Sequence, residues 1–550
     1  MRSANTLLGL LSLGLALISE HALAHPLTAT EVVRRGDDEW LSPQYTLFQA
    51  PLAIPSVINP LTTHTNTTSG EVIDFFQISI QDFTQQVYPN KPATALQGYN
   101  GQFPGPLFRT TVGRRSVVRF INQVANPASI HLHGSPTRPV WDGWAEDLIL
   151  TNQYKDYYYP NEGARTLWYH DHAVHITAVN AFRGQAGVYI LSDPVQEAAL
   201  NLPQGKYDVP LVITDKIYNS NAQLITPEGE EDSYYGDVIH VNGIPWPFLT
   251  VEPRKYRFRL LDASVSRSYK LDIRRSNGAK IPMVVVATDS GYIQGPVSTN
   301  TLILAIAERY EIIVDFSAYA GQTLTMRNAR DFSRNEDYAK TNYVMQFRVG
   351  TTVTSTAGNG PIPSTLATIN YPTKTGVDHA FEFERSNGEW RISDIGFADV
   401  TNRVLAAPAK GGVEVWDLIN NSGGWAHPIH IHLVDFKVVS RTRRGVEPYE
   451  IGFKDTVFLD ENEQARVIAR FHPWAGEYMF HCHNLVHEDH DMMAEFDVGN
   501  TRAAPAYRDR FSNPMTQEFR ASPYTTTDLT QVQNTVLPFF SGLEAYNFPV

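Results

Sequence analysis

The 550-residue chain contains a single cysteine, Cys482, so no disulfide can form within it. Only eight methionines are present, and the net charge of −13 argues against a nucleic-acid partner. The apolar run at residues 7–18 is too short to span a membrane, and no membrane association is expected. The lone thiol must therefore serve another purpose than a structural cross-link.

The start of the chain has the parts of a secretory signal peptide. A basic N-terminus precedes the apolar run 7–18, and Ala22-Leu23-Ala24 provides a small-residue cleavage site. We therefore expect residues 1–24 to be removed and the protein to be extracellular. The pair Arg34-Arg35 predicts a second processing step, with residues 25–35 as a propeptide, and a solvated charge pair is the alternative.

Short runs rich in Val, Ile, Tyr and Phe alternate with polar residues, for example at residues 115–120 and 310–316. This pattern favours antiparallel β-sandwiches, and no long segment has sustained helical periodicity. A length of 550 residues predicts about three domains at ~150 residues each. The Thr-, Ser-, Gly- and Pro-rich stretch 352–375 is a predicted linker, with another boundary near residues 200–203.

The run His481-Cys482-His483 places a thiol between two imidazoles. Side chains alternate along a strand, so its two histidines would face one way and Cys482 the other. In the segment His427-Pro428-Ile429-His430-Ile431-His432, the last two histidines share a parity and the first has the opposite one. Pairing the segments would put four imidazoles on one face, with a thiolate and an imidazole on the other. This arrangement predicts two metal sites back to back, connected through Cys482.

The face that carries Cys482 has the residues of a blue-copper site. Such a site needs two imidazoles, one thiolate and a weakly bound thioether. The sequence offers His427, His487 and Met492, with Met493 as an alternative thioether. A lone cysteine is more often a small buried hydrophobe, but the histidines on both sides of this one favour metal binding.

Two more histidine doublets occur in the N-terminal half, at His131-Leu132-His133 and His170-Asp171-His172. One doublet is weak evidence for metal binding, but four doublets in one chain are strong evidence. The doublets supply enough imidazoles for three further copper ions. Their members are His131, His133, His170, His172, His430, His432, His481 and His483.

Two segments fit the pattern for N-linked glycosylation. Asn66-Thr67-Thr68 lies in a polar loop and is the better candidate. Asn420-Asn421-Ser422 lies close to the predicted metal ligands, where access for a glycan would be restricted.

The histidine motifs resemble the copper signatures of the multicopper oxidases and occur in the same order. Within that family, residues 140–147, 237–243 and 481–493 are more similar to bilirubin oxidases than to typical laccases. Asp491 departs from the glycine that many laccases have before the axial residue, which puts typical laccase substrates in doubt. The signatures are His131-Leu132-His133-Gly134, Trp168-Tyr169-His170-Asp171-His172, the segment 427–432, and the segment 481–487 with a later Met.

The resemblance implies an all-β fold of three cupredoxin-like Greek-key domains. These would occupy residues 41–200, 201–351 and 376–500, followed by a C-terminal extension at 501–550. Copper ligands would come only from the first and third domains, so a trinuclear site would lie at their interface. The middle domain would act as a spacer.

The resemblance also implies four copper ions: one of type 1, one of type 2 and two of type 3. The family spacing selects Met492 as the thioether, so His427, Cys482, His487 and Met492 would hold the type 1 copper. His131 and His430 would hold the type 2 copper. The remaining six ligands would hold the type 3 pair: His133, His170, His172, His432, His481 and His483.

An enzyme of this family would take single electrons from a small aromatic or tetrapyrrole donor. Each electron would pass through Cys482 to His481 and His483, where dioxygen would be reduced to water. Trp425, two residues before His427, would either stack against a flat donor or be a core aromatic. We expect such an enzyme to act as a secreted monomer.

Two acidic residues match positions that the family uses for proton transfer. Asp142 lies nine residues after His133, and Glu488 follows the predicted ligand His487. Either carboxylate would relay protons to the site of dioxygen reduction, and an ordinary solvated carboxylate is the alternative for each.

Two other functions remain open. Glu488, Asp489 and Asp491 beside the predicted type 1 site would suit an oxidase of ferrous or cuprous ions. The chain has only eight methionines and no Met-rich loop, which argues against cuprous ions. A non-enzymatic coat or binding protein with the same fold would be expected to lose some ligands, whereas this chain has the complete set.

Overall fold

The computed structural model describes residues 40–504 and 508–544. The expected signal peptide, the expected propeptide and the pair Arg34-Arg35 lie outside the described residues. Among the described residues, no helix is both long enough and apolar enough to cross a membrane.

The first domain is a β-sandwich that borrows one strand from the C-terminal extension. Its strands are β1 Thr62–Thr65, β2 Val72–Gln85, β3 Thr94–Tyr99, β4 Gly105–Thr111, β5 Arg115–Asn122, β6 Ile130–His133, β7 Gln153–Tyr159, β8 Arg165–Asp171, β9 Ala186–Ser192 and the borrowed β33 Ser522–Pro523. One sheet has the order β1-β2-β5-β7-β33, with β3 beside β2, and the other has the order β4-β9-β8-β6. Helices α1 (Thr177–Arg183) and α2 (Pro194–Leu200) flank β9.

The second domain is a larger sandwich with its own apolar core. Its strands are β10 Asp208–Lys216, β11 Val238–Val241, β12 Ile244–Pro245, β13 Phe248–Val251, β14 Lys255–Asp262, β15 Tyr269–Arg275, β16 Lys280–Ile281, β17 Met283–Thr288, β18 Gly291–Thr299, β19 Leu302–Leu304, β20 Arg309–Asp315, β21 Thr323–Asn328 and β22 Tyr343–Val349. The sheets have the orders β12-β11-β10-β14-β20-β17-β18 and β13-β22-β21-β15-β16, with β19 beside β15.

The third domain consists of two five-stranded sheets around a separate core. Its strands are β23 His379–Ser386, β24 Glu389–Ile392, β25 Val404–Ala406, β26 Val413–Asn420, β27 His427–Ile431, β28 Phe436–Arg441, β29 Thr456–Leu459, β30 Gln464–Arg470, β31 Gly476–Cys482 and β32 Met493–Val498. The sheet orders are β24-β23-β26-β30-β28 and β25-β32-β31-β27-β29. Helix α3 (Leu485–Asp489) joins β31 to β32.

The all-β fold and its three cupredoxin-like domains are confirmed, and one detail differs from the prediction. The sheets are mixed, because each of the six contains one parallel pair. The pairs are β2 with β5 and β4 with β9, β10 with β14 and β13 with β22, and β23 with β26 and β25 with β32. The three sandwiches therefore repeat one topology. The exact domain limits stay a prediction, and no strand crosses residues 352–375.

The C-terminal extension folds back on the first domain. β33 pairs with β7, and Phe540 stacks on Tyr158 with ring centroids 5.4 Å apart. Trp141 contacts the rings of Phe511, Phe519 and Phe540 at 5.2–5.4 Å. The extension thus completes the first core and holds the residue that precedes Asp142.

The strands that carry the histidine motifs are buried along both faces, in contrast to ordinary sandwich strands. β6, β8 and β27 have no exposed or intermediate residue, and β31 has only one. One face of each strand packs inside its own sandwich, and the other faces a neighbouring domain. The side chains of the histidine doublets therefore meet in a buried interface.

Candidate metal centres

The register of two neighbouring strands places the central motif. β27 pairs with β31 so that Ile429 lies opposite Cys482 and His430 lies opposite His481. Because side chains alternate, His427 shares the face of Cys482. The paired strands thus separate two clusters, as the sequence pattern predicts.

The first cluster surrounds the thiol. The Sγ atom of Cys482 lies 3.2 Å from Nδ1 of His427 and 3.7 Å from Nδ1 of His487. The two Nδ1 atoms are 3.2 Å apart, and all three side chains are fully buried. One sulfur and two ring nitrogens therefore converge on a point that a metal ion can occupy.

The two methionines after α3 point into different parts of the molecule. Met492 belongs to the apolar cluster of the third domain that includes Cys482. Met493 packs instead in a cluster with Trp144 and Met479. Only Met492 is on the thiol side, which supports it as the thioether ligand.

The outer ring nitrogens of both histidines have hydrogen-bond acceptors. Nε2 of His427 lies 2.8 Å from Oγ of Ser422, and Nε2 of His487 lies 2.5 Å from the carbonyl oxygen of Asp232. A hydrogen bond at Nε2 leaves Nδ1 free to bind a metal. Trp390 stacks on the His487 ring at a centroid distance of 3.8 Å. Trp390 thus covers the face of the His487 ring, and the Asp232 carbonyl covers its Nε2 edge.

The second cluster gathers the eight doublet histidines between the first and third domains. β6 pairs with β8 so that His131 lies opposite His170. Nε2 of His131 is 3.4 Å from Nε2 of His430. Ligand atoms lie within 4.8 Å of one another in three groups: His131, His430 and His432; His133, His170 and His483; His172, His432 and His481.

Backbone carbonyl groups orient four of these eight rings. Nδ1 of His170 donates to the carbonyl of Asp171 at 2.8 Å, and Nδ1 of His430 donates to that of Asp455 at 2.8 Å. Such bonds fix the tautomer and direct Nε2 inward. His133 is reversed, because its Nε2 lies 3.0 Å from Oδ1 of Asp455 and its Nδ1 faces the cluster.

Unpartnered nitrogens show that this donor set fits copper. Nδ1 of His133, Nε2 of His170 and both ring nitrogens of His483 are buried and have no hydrogen-bond partner among the residues that the structure describes. Buried polar atoms are rarely left so, and metal ligation accounts for one nitrogen on each of the three residues. Imidazoles with one thiolate are ligands that copper prefers.

Burial sets the charge state of these ligands. It lowers the pKa of His427 to about 3 and that of His172 to about 4, so both rings are neutral, as ligation requires. Burial also raises the pKa of the Cys482 thiol well above its usual value. A bound cation is therefore needed to hold Cys482 as a thiolate.

Both predicted acidic residues lie at the second cluster and are buried, which makes the solvated alternative wrong. Oδ2 of Asp142 is 2.7 Å from Nδ1 of His432, and Oδ1 accepts from Thr137 at 3.0 Å. Oε2 of Glu488 is 3.0 Å from Nδ1 of His481. Burial raises the pKa of Asp142 well above its usual value, although the Thr137 hydroxyl opposes the shift. Glu488 behaves differently: burial favours its neutral form, but the adjacent His481 and His172 lower its pKa to about 2.

Trp425 lies at the edge of the first cluster, and its position combines both sequence-based interpretations. The ring is partly buried and packs against the core of the third domain. It also meets Trp390 edge to face, with centroids 5.2 Å apart. A partly exposed tryptophan therefore adjoins the ring that stacks on His487.

The middle domain is more than the spacer expected from its lack of histidine doublets. Arg309, at the start of β20, pairs through both Nη atoms with Asp455, the residue that holds His133. Its Nε also donates to the carbonyl of Thr166 in β8 at 3.0 Å. One buried guanidinium thus connects all three domains beside the second cluster.

Several residues of these centres carry no sequence signal of their role. Trp390, Arg309 and Asp455 reach their partners from strands or turns that are remote in sequence. Ser422 has a signal, but it fits a glycosylation pattern instead. These contacts depend on tertiary packing alone.

Comparison with known proteins agrees with these centres. Three family models, each described as multicopper oxidase, match residues 83–196, 207–352 and 363–502. The chain is 48% identical to a bilirubin oxidase from Albifimbria verrucaria, over 88% of this chain and 87% of that protein. It is 32% identical to a laccase from Bacillus subtilis, over 82% of this chain and 98% of that protein. The crystal structure of the McoA multicopper oxidase from Aquifex aeolicus has a TM-score of 0.72 and 26% identity, and covers 82% of this chain and all of that one.

A copper thiolate at Cys482 has a spectroscopic consequence. The copper-loaded protein should be blue, and Cys482→Ser should abolish the intense visible band and donor oxidation, because the charge-transfer partner is lost. Circular dichroism should show that the fold is retained. Absorption spectra with copper analysis provide the measurement, and a colourless wild type with full copper content would contradict the assignment.

The thioether assignment predicts opposite shifts in potential. Met492→Leu should raise the type 1 potential, because a donor to oxidised copper is removed, and Met492→Gln should lower it. Redox titration of the visible band measures both. The same substitutions at Met493 are the matched control, and an effect there with none at Met492 would transfer the ligand role.

Proposed function

Because the chain belongs to the multicopper oxidase family, we propose that it oxidises bilirubin-like tetrapyrroles or phenols and reduces dioxygen to water. Copper is the cofactor of this family, and relatives of the chain are named bilirubin oxidase and laccase. The observation that carries the proposal is the connection of the two clusters through Cys482 and its histidine neighbours.

We assign the ligands as the motifs and clusters suggest. Copper bound at these residues would accept single electrons at the type 1 site and deliver four to dioxygen at the trinuclear site. The type 1 ligands are His427, Cys482, His487 and Met492; the type 2 ligands are His131 and His430; the type 3 ligands are His133, His170, His172, His432, His481 and His483.

The chain itself provides the link between the sites. Cys482 is covalently bonded to His481 and His483, whose rings lie in the second cluster. Nδ1 of His481 also donates to the carbonyl of Cys482 at 3.1 Å. The thiol residue and one trinuclear ligand are therefore joined by backbone and hydrogen bond, which is a short path for electrons.

We propose that Asp142 delivers protons for dioxygen reduction. Its carboxyl group contacts the outer nitrogen of His432 and the Thr137 hydroxyl in a region that solvent does not reach. A carboxyl group in such a place can hold a proton at one oxygen and pass it toward the cluster. Glu488 lies on the opposite side, between His481 and His172, and is a second candidate relay.

Trp425 is proposed to bind the donor. Flat conjugated molecules stack on a partly exposed indole, and Arg385 lies over the same ring at 5.2 Å. We also propose that the protein is secreted, on the basis of its N-terminal sequence, and that it acts as a monomer.

A metallo-oxidase is the second candidate, and two of the three acidic residues that favoured it are otherwise engaged. Glu488 is buried at the second cluster. Asp489 accepts from the backbone nitrogens of Thr177 and Ala178 at the start of α1. With these two carboxylates engaged, Asp491 is the one of the three that remains for a metal-ion donor, which favours organic donors.

Turnover of three donors separates these functions. With purified enzyme, bilirubin and a phenol should be oxidised readily, with one dioxygen consumed per four electrons, and ferrous iron should react slowly. Oxygen uptake and donor absorbance provide the measurement. Fast oxidation of ferrous iron with little turnover of either organic donor would establish the metallo-oxidase instead.

Substitutions on the two sides should separate the half-reactions. Asp142→Asn keeps the shape of the side chain but cannot transfer a proton, so it should slow reoxidation by dioxygen and leave anaerobic reduction by the donor unchanged. Trp425→Ala should weaken reduction, most for large planar donors, with reoxidation unchanged. Stopped-flow spectroscopy follows each half-reaction. If Asp142→Asn slows only the donor half, its carboxylate belongs to the donor side.

A further inference from the structure

The last residue of β26 and the turn that follows contain the second glycosylation pattern, Asn420-Asn421-Ser422. Asn420 is 2% exposed and Ser422 is 8% exposed. Nδ2 of Asn420 donates to the carbonyl oxygens of Trp425 at 2.7 Å and of Asp460 at 3.0 Å. Both amide hydrogens are therefore engaged. A glycan on Nδ2 would replace one of these bonds and would need space that a buried side chain does not have.

The orientation of the Asn420 amide determines the direction of the next hydrogen bond. Because Nδ2 faces two carbonyl acceptors, the other amide atom is Oδ1, which can only accept. Oγ of Ser422 lies 2.7 Å from this Oδ1. The Ser422 hydroxyl hydrogen is therefore directed to Asn420, and only the lone pairs of Oγ remain for another partner.

That partner is a ring nitrogen of His427. Nε2 lies 2.8 Å from Oγ of Ser422, and since Oγ must accept, Nε2 carries the proton. Nδ1 is then unprotonated, and it is the atom that lies 3.2 Å from Sγ of Cys482. A chain of two hydrogen bonds from Asn420 thus sets the tautomer of His427 and directs its lone pair to the first cluster.

We propose that Asn420 and Ser422 are positioning residues for His427 and that the motif is not a glycosylation site. The proposal rests on the assignment of His427 as a type 1 copper ligand. Outer hydrogen bonds of this kind fix ring orientation and increase the donor strength of the imidazole. Asn420 also holds the backbone of Trp425, so one side chain anchors the ligand and the adjacent tryptophan.

Removal of the hydroxyl should change the type 1 site itself. In copper-loaded enzyme, Ser422→Ala should weaken donation by His427, shift the visible band and raise the type 1 potential. We expect a three- to tenfold change in the equilibrium with a one-electron mediator, and about 59 mV corresponds to tenfold. Ser422→Thr keeps the hydroxyl and should restore the wild-type band and potential. Asn420→Ala, which leaves Ser422 without its acceptor, should shift both as Ser422→Ala does.

A matched control lies between the two residues. Asn421 is exposed, and among the described residues its side chain donates a hydrogen bond to Glu382 on the surface, so Asn421→Ala should leave band and potential unchanged. A purely structural role for Ser422 would lower the melting temperature and leave the type 1 spectrum and potential at wild-type values, which would overturn the proposal. A wild type without a blue band would instead refute the copper assignment.

Peptide mass mapping tests the second half of the proposal. The enzyme should be produced in a eukaryotic host that glycosylates secreted proteins. The peptide that contains Asn420 should have its unmodified mass in the blue, copper-loaded fraction. A glycan at Asn420 in that fraction would overturn the proposal, because the modified nitrogen could not donate to both carbonyl groups.

Discussion

Alternation of side chains along one strand is the constraint on which the rest of this structure depends. At the end of β31, Cys482 faces the core of its own sandwich and His481 faces the first domain. One peptide unit therefore separates the thiol site from the trinuclear ligands. A helix could not achieve this, because neighbouring residues on a helix are only about 100° apart. The antiparallel partner β27 repeats the alternation, so both clusters are completed across the same pair of strands.

The proposed trinuclear ligands come from two domains, and a buried charge network fixes how those domains meet. Arg309 and Asp455 are fully buried and pair through two hydrogen bonds. Buried pairs of this kind contribute little net stability, but loss of one partner leaves an uncompensated charge. Any other arrangement of the domains would separate the pair and would therefore have a higher free energy. Asp455 also forms hydrogen bonds with His133 and His430. Arg309 of the middle domain therefore helps to position these two rings through Asp455.

The fold class and the placement of the histidines could be predicted from the sequence because both depend on local periodicity. Parity along a strand assigned each imidazole to a face, and paired motifs identified the partner strands. Strand parity could not show which of Met492 and Met493 is the thioether ligand. The choice depends on which apolar cluster each side chain packs into, and that is a tertiary contact. The roles of Trp390 and Asp455 depend on contacts between remote segments. Ser422 shows a further limit. Its sequence context fits a glycosylation pattern, whereas its contact with His427 is visible only in the folded structure.

Residues from other segments shield His487 from solvent, and this explains why the sequence does not show which donor the protein uses. The imidazole is fully buried, its Nε2 donates to Asp232 in the second domain, and Trp390 of β24 lies on its ring face. Trp425 enters from a third segment, the turn before β27. No contiguous motif can describe a surface assembled from three separate segments. A donor bound at Trp425, as proposed, would meet this surface and not the ligand itself, so donor selectivity would depend on loops and turns, whereas the proposed copper ligands depend on strand register.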